Sequence, residues 1–177
     1  MKKISMIFIA VWVLVITLSP AAHADHSQPP ADNSSAELNR IKGLAGRWTA
    51  TTSMFGKPNQ RVYTKYEVTA GGSAVLESIF PGTPQEMISV YYDDNHGKLA
   101  MTHYCIMRNR PTLKLTSSSP DTIKMDVTKI SCLKSKKDQS MGGLTLHFKD
   151  KNHIEQICSA KGKGNEKPMT LEYTRVR

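Results

Sequence analysis

From Arg47 to the C-terminus the chain alternates apolar and polar residues in short runs, with turn-forming residues every eight to twelve positions. Side chains on an extended strand point to opposite faces in succession, so a period of two gives each run one dry side and one wet side. Val62, Tyr66 and Val68 oppose Lys65 and Glu67; Ile123, Met125 and Val127 oppose Lys124, Asp126 and Thr128; Leu144, Leu146 and Phe148 oppose Thr145, His147 and Lys149. The pattern predicts ten strands, at 47–54, 60–69, 73–80, 86–93, 98–107, 112–117, 121–130, 143–149, 153–160 and 168–176. Residues suited to tight turns separate them, among them Gly56-Lys57-Pro58-Asn59, Gly71-Gly72, Pro81-Gly82-Thr83-Pro84 and Asp94-Asn95-His96-Gly97.

Antiparallel strands with a single apolar face bury it either by stacking two sheets or by curling one sheet shut. Here every connection is short except the stretch around Lys134 to Gly142. That favours an all-β fold, a closed up-and-down barrel of about ten strands, which leaves no sheet edge exposed. Ahead of the strands, Leu38, Ile41 and Leu44 recur at helical spacing, with Ser34 or Ser35 placed to cap and Gly43 or Gly46 to stop. One short N-terminal helix is expected there. Residues 25–35 (DHSQPPADNSS) are polar, hold two prolines and read as a linker with no fixed fold, leaving 36–177 as the barrel domain.

The extreme N-terminus reads as a signal peptide over residues 1–24. Lys2 and Lys3 precede an apolar run from Met6 to Leu18, then Ser19-Pro20 and the small-residue triplet Ala22-His23-Ala24, after which cleavage is expected. The run, about 13 residues, falls short of the roughly 20 that cross a bilayer, so no stable membrane insertion is expected. Cleavage would leave 153 of 177 residues, enough for one domain, and removal of the two lysines lowers the formal charge from +9 to +7. The remaining basic residues are spread out apart from Lys134, Lys136 and Lys137, which is not the dense, aromatic-interleaved face of a nucleic-acid binder. An exported protein, periplasmic or secreted, is the reading.

An oxidising compartment would favour pairing two of Cys105, Cys132 and Cys158. Cys132 with Cys158 is preferred, because Cys132 lies where a strand gives way to a loop; such a bridge is worth about 3–4 kcal/mol. Three buried thiols acting as small hydrophobes is the other reading. No CxxC, CxxCH, G-x-S-x-G or H-E-x-x-H is present, and no metal site is expected. Glu77 with Glu86 and Asp93 with Asp94 fall at strand or turn positions where solvated charge is expected. His103 stands out: Leu99, Met101, His103, Cys105 and Met107 share one face, placing an imidazole on an apolar stripe. It is either a buried histidine bonded to a neighbouring Tyr or Ser, or a ligand contact. Met87, Met101, Met107 and Met125 would make an adaptable apolar lining or ordinary core.

The helix running into Gly46-Arg47-Trp48, the meander and an arginine in Leu171-Glu172-Tyr173-Thr174-Arg175-Val176-Arg177 together resemble the lipocalin-like (calycin) superfamily. Phe80-Pro81-Gly82-Thr83-Pro84, Glu86-Met87, Thr102-His103-Tyr104-Cys105 and Asn109-x-Pro111 are further similar to a group of uncharacterised exported bacterial proteins within it, over most of residues 38–177. The resemblance implies that Trp48 plugs one end of the barrel beneath an arginine from the last strand, with Arg175 preferred, and that the interior holds a small hydrophobic or amphipathic ligand. Met101, His103, Tyr104, Cys105 and Arg108 are the expected ligand contacts, with His103, Tyr104 and Arg108 orienting. No cofactor is expected; an axial haem ligand at His103, as in related barrels, is the alternative, weakened where Ser140-Met141-Gly142-Gly143 replaces expected histidines. Two other functions compete: an envelope interaction module with a filled interior, and a small barrel enzyme in which His103 works against a carboxylate.

Overall fold

The computed structural model describes residues 30–53, 56–135, 138–162 and 167–177. The expected signal peptide, the first part of the expected linker, and Lys136 and Lys137 lie outside the described residues.

A helix α1 (Ala36–Lys42) is followed by ten strands: β1 (Gly46–Thr52), β2 (Gln60–Thr69), β3 (Ala74–Ile79), β4 (Met87–Asp93), β5 (Leu99–Tyr104), β6 (Arg110–Ser119), β7 (Thr122–Ser131), β8 (Ser140–Asp150), β9 (His153–Lys161) and β10 (Met169–Arg175). Each strand pairs antiparallel with the next, and β10 returns to β1, giving the closed up-and-down barrel the alternation called for. Closure is made by the register of Trp48 with Arg175 and Thr49 with Thr174. Among the described residues no helix is long and apolar enough to cross a membrane.

β6 runs two residues beyond the expected 112–117 at each end, and two other strands differ from expectation for local reasons. The run expected over 98–107 stops at Tyr104, because Cys105–Asn109 closes a tight turn with Arg108 N–H donating to the Cys105 carbonyl (2.9 Å) and Arg108 at φ 61°. β8 begins at Ser140, earlier than 143, since Ser140 and Met141 pair with Lys161 and Ala160 before a register shift at Gly143. Val68, expected on the dry face with Val62 and Tyr66, is exposed near the end of its strand.

Antiparallel order divides the barrel into two poles. One carries the start of β1, the ends of β2, β4, β6, β8 and β10, and α1, whose Leu38, Ile41 and the following Leu44 are buried. Ser35 caps this helix by accepting from Leu38 N–H (3.0 Å) and anchors it to β4, donating from its backbone and hydroxyl to Asp93 (2.6 and 2.7 Å). Arg40 reaches across to the Ser119 carbonyl and the Ser118 hydroxyl at the β6–β7 turn, so the helix straps the pole from side to side. Residues just before it are tied down as well: Lys42 donates to Ser34 Oγ (2.8 Å) and to the Asp32 carboxylate.

Trp48 completes the plug. It is fully buried and donates from Nε1 to the Leu44 carbonyl (2.8 Å). The Arg175 guanidinium lies 4.2 Å from its ring centroid and donates to the carbonyls of Ala45 (2.7 Å), Gly43 (2.8 Å) and Lys151 (3.0 Å). A cation over an indole face is attracted by the ring's negative quadrupole, and a planar guanidinium can satisfy several helix-end carbonyls while it stacks. Gly46 is required beside it: at φ 126°, a β-carbon there would be strained and would approach Arg175 Nη1 to 3.2 Å. Among the described residues the opposite pole has no helix.

Candidate ligand cavity at the open pole

The pole away from α1 contains a cavity of about 480 Å³. Its wall is built from the strand ends that gather there: Ile79 and Phe80 at the end of β3, Met87 opening β4, His103 and Cys105 at the end of β5, Ser140 and Met141 opening β8, Gln156 and Cys158 on β9, and Met169, Leu171 and Tyr173 on β10. Met107, Gln139 and Lys167 add to the lining from the connecting segments. Phe80 reaches its place through a left-handed backbone (φ 53°), held by its N–H on the Tyr63 carbonyl (2.9 Å), and its side chain is buried. Asn109 ties the β5–β6 turn to the segment before β8 by donating to the Gln139 carbonyl (2.9 Å). Apolar surface dominates this lining, and the polar groups within it are few, which is how small-molecule sites are usually built.

Deeper in the barrel lies a group that was expected in solvent. Glu77, expected as solvated charge, is fully buried at the centre of β3. Its carboxylate accepts from Tyr66 Oη (2.8 Å) and Tyr91 Oη (2.8 Å), with Gln156 Nε2 (3.4 Å) and the Thr64 hydroxyl (3.3 Å) also at Oε1. Burial pushes the Glu77 carboxyl above its ordinary range, while these donors pull it back. Burial, together with the acid, drives the two tyrosines well above theirs. A buried carboxyl is tolerated where such a ring of donors meets it. The signal was present in Val75-Leu76-Glu77-Ser78-Ile79: Val75 and Ile79 flank Glu77 at two-residue spacing and both point inward.

His103 is also buried, and its Nδ1 shares a 3.0 Å hydrogen bond with the Ser89 hydroxyl on the neighbouring β4. Removal from water lowers its pKa to about 4, so the ring is neutral at ordinary pH. Its partner is a hydroxyl, not the carboxylate that acid–base work by this residue would require. Gln156 links the two layers, lining the cavity while its amide nitrogen holds Glu77. Tyr173 shares the lining, and its hydroxyl is buried with no hydrogen-bond partner among the described residues.

Of the expected ligand contacts, His103 and Cys105 line the cavity. Met101 is wholly buried in the core and outside that lining. Tyr104 is 47% exposed on the outer face, since consecutive strand residues alternate and His103 takes the inward place. Arg108 belongs to the tight turn after β5 and is not part of the lining. The expected Cys132–Cys158 bridge does not form: both are free thiols, as is Cys105. Cys158 points into the cavity, where burial raises its thiol to about 12, whereas Cys132 is exposed beyond β7 with Arg110 donating to its sulfur (3.1 Å). Among the described residues no group of three or more His, Cys, Asp or Glu is placed to hold a metal ion.

No family model matches the chain, and no curated protein matches it.

Proposed function

We propose that this protein is an exported, lipocalin-like barrel that binds a small hydrophobic or amphipathic molecule in its interior and performs no chemistry on it. The observation that carries this reading is the cavity of about 480 Å³ at one pole, walled by apolar and thioether side chains, with the other pole plugged by α1 and Trp48. Apolar burial supplies the affinity, at roughly 25 cal/mol for each Å² removed from water, and the polar groups give orientation. Methionine suits such a wall because its unbranched, polarisable chain adapts to the shape it meets. The helix-to-Gly-x-Trp entry and the Arg175 cover support membership of the calycin group. The Lys2-Lys3 start, the apolar run and the Ala22-His23-Ala24 triplet support export.

The test is titration of the mature chain with the neutral fluorophore N-phenyl-1-naphthylamine. Enhanced, saturable emission is expected. Cys158→Trp, which fills the cavity from β9, is expected to abolish it at an unchanged unfolding transition, and Val68→Ser on the outer surface should leave it intact. Saturable emission that persists in Cys158→Trp would place the probe elsewhere and overturn the reading.

A further inference from the structure

We infer that the cavity is shaped for an uncharged amphiphile whose single polar head, a hydroxyl or a carbonyl, seats against the Tyr173 hydroxyl, with the His103 imidazole on the same lining. The inference rests on the ligand-binding reading above and specifies its ligand class.

Tyr173 is 1% exposed and stands in the cavity wall, yet its hydroxyl meets no partner among the described residues. Protein interiors almost always satisfy such a group, because removing a hydroxyl from water without a replacement bond is costly. The nearby acid does not serve: Glu77 already receives Tyr66, Tyr91 and Gln156. On the same lining, His103 uses Nδ1 for Ser89 and leaves Nε2 without a partner among the described residues. A bound head supplies the partner that the Tyr173 hydroxyl lacks, and the His103 imidazole offers a second polar contact on the same lining.

Charge selects the kind of head. The neutral imidazole offers no cation, Glu77 lies beneath as an acid, and Lys167, which is exposed, is the one cation among the described lining residues. A carboxylate driven inward would lose its water and, among the described lining residues, find no cation but the exposed Lys167. An ammonium head fares no better, because the oxygens of Glu77 are already covered by its donors. A neutral hydroxyl or carbonyl needs only a hydrogen bond, and the thioethers of Met87, Met141 and Met169 receive the tail.

Displacement of bound N-phenyl-1-naphthylamine by 1-decanol, undecane and decanoate tests this on the mature chain. Decanol is expected to bind about tenfold more tightly than undecane, the worth of one good hydrogen bond in a dry site, and decanoate more weakly than decanol. Tyr173→Phe should bring decanol within about twofold of undecane, leave undecane unchanged, and raise the unfolding midpoint of the ligand-free protein by removing an unsatisfied hydroxyl. His103→Gln is a second variant expected to weaken decanol selectively. Equal binding of decanol and undecane, a preference for decanoate, or a Tyr173→Phe variant that is both less stable and unselectively weaker would overturn the head-group assignment while leaving ligand binding in place. Failure of all three compounds to displace a bound probe would overturn both.

Discussion

His103 shows how one buried side chain couples the cavity to pH. In the folded protein its pKa is held down to about 4, against 6.5 for an exposed imidazole, because burial disfavours the cation. A group depressed on folding contributes fully above the unfolded value and loses that contribution as pH falls towards the folded one. Between pH 6.5 and about 4, stability should therefore fall by about 3 kcal/mol on account of this ring alone. Urea unfolding across that range is expected to show the slope in the wild type and a flatter profile in His103→Gln, which cannot take up the proton; identical profiles would contradict the assignment. Glu77 acts in the opposite sense. Its pKa is raised, so its contribution is complete below 4.5 and declines as pH rises through the folded value. The two groups lie on one wall system but shape opposite limbs of the stability curve.

At the scale of elements, the decisive junction is where α1, β1 and β10 meet. Arg175 covers Trp48 and holds three carbonyls from two segments, those of Gly43 and Ala45 after the helix and of Lys151 between β8 and β9. Arg175→Ala removes the stacking and leaves these carbonyls to water or to nothing, and is expected to cost about 2–3 kcal/mol in urea unfolding. Arg175→Lys should recover less than half of this, because an ammonium is not planar and cannot stack and bridge together. A loss below about 0.5 kcal/mol for the alanine variant would show that the plug does not depend on it.

This junction was expected from the resemblance to lipocalin-like barrels, carried by a short helix stopping at Gly43 or Gly46, Gly46 two residues before Trp48, and an arginine near the close of the last strand. The strand order was legible for a similar reason, since short hairpins allow only neighbours to pair. The polar interior was less so. Alternation places His103 and Glu77 inward, but charge on a strand usually means solvent, and only coordinates reveal that Tyr66, Tyr91 and Gln156, from three other strands, converge on one carboxyl. Tyr104 was grouped with His103 by nearness in sequence although alternation puts it on the opposite face, and the outward place of Cys132 beyond β7 follows from no such period. Tyr173 carries no local mark at all. Its importance comes from a missing partner, which no one-dimensional pattern records.

For the whole molecule, closure is what allows a cavity at one pole. Ten strands paired all the way round satisfy the backbone without a filled centre at every level, so one pole can be packed solid by Trp48, Leu38 and Ile41 while the other holds the cavity. The most direct test of that account is native mass spectrometry of the protein recovered from the compartment in which it is made, recorded before and after denaturation. The account predicts a native mass that exceeds the denatured chain by one small organic molecule, with the excess released on unfolding and absent from Cys158→Trp. A native mass equal to that of the bare chain, in protein never exposed to detergent or solvent, would contradict it.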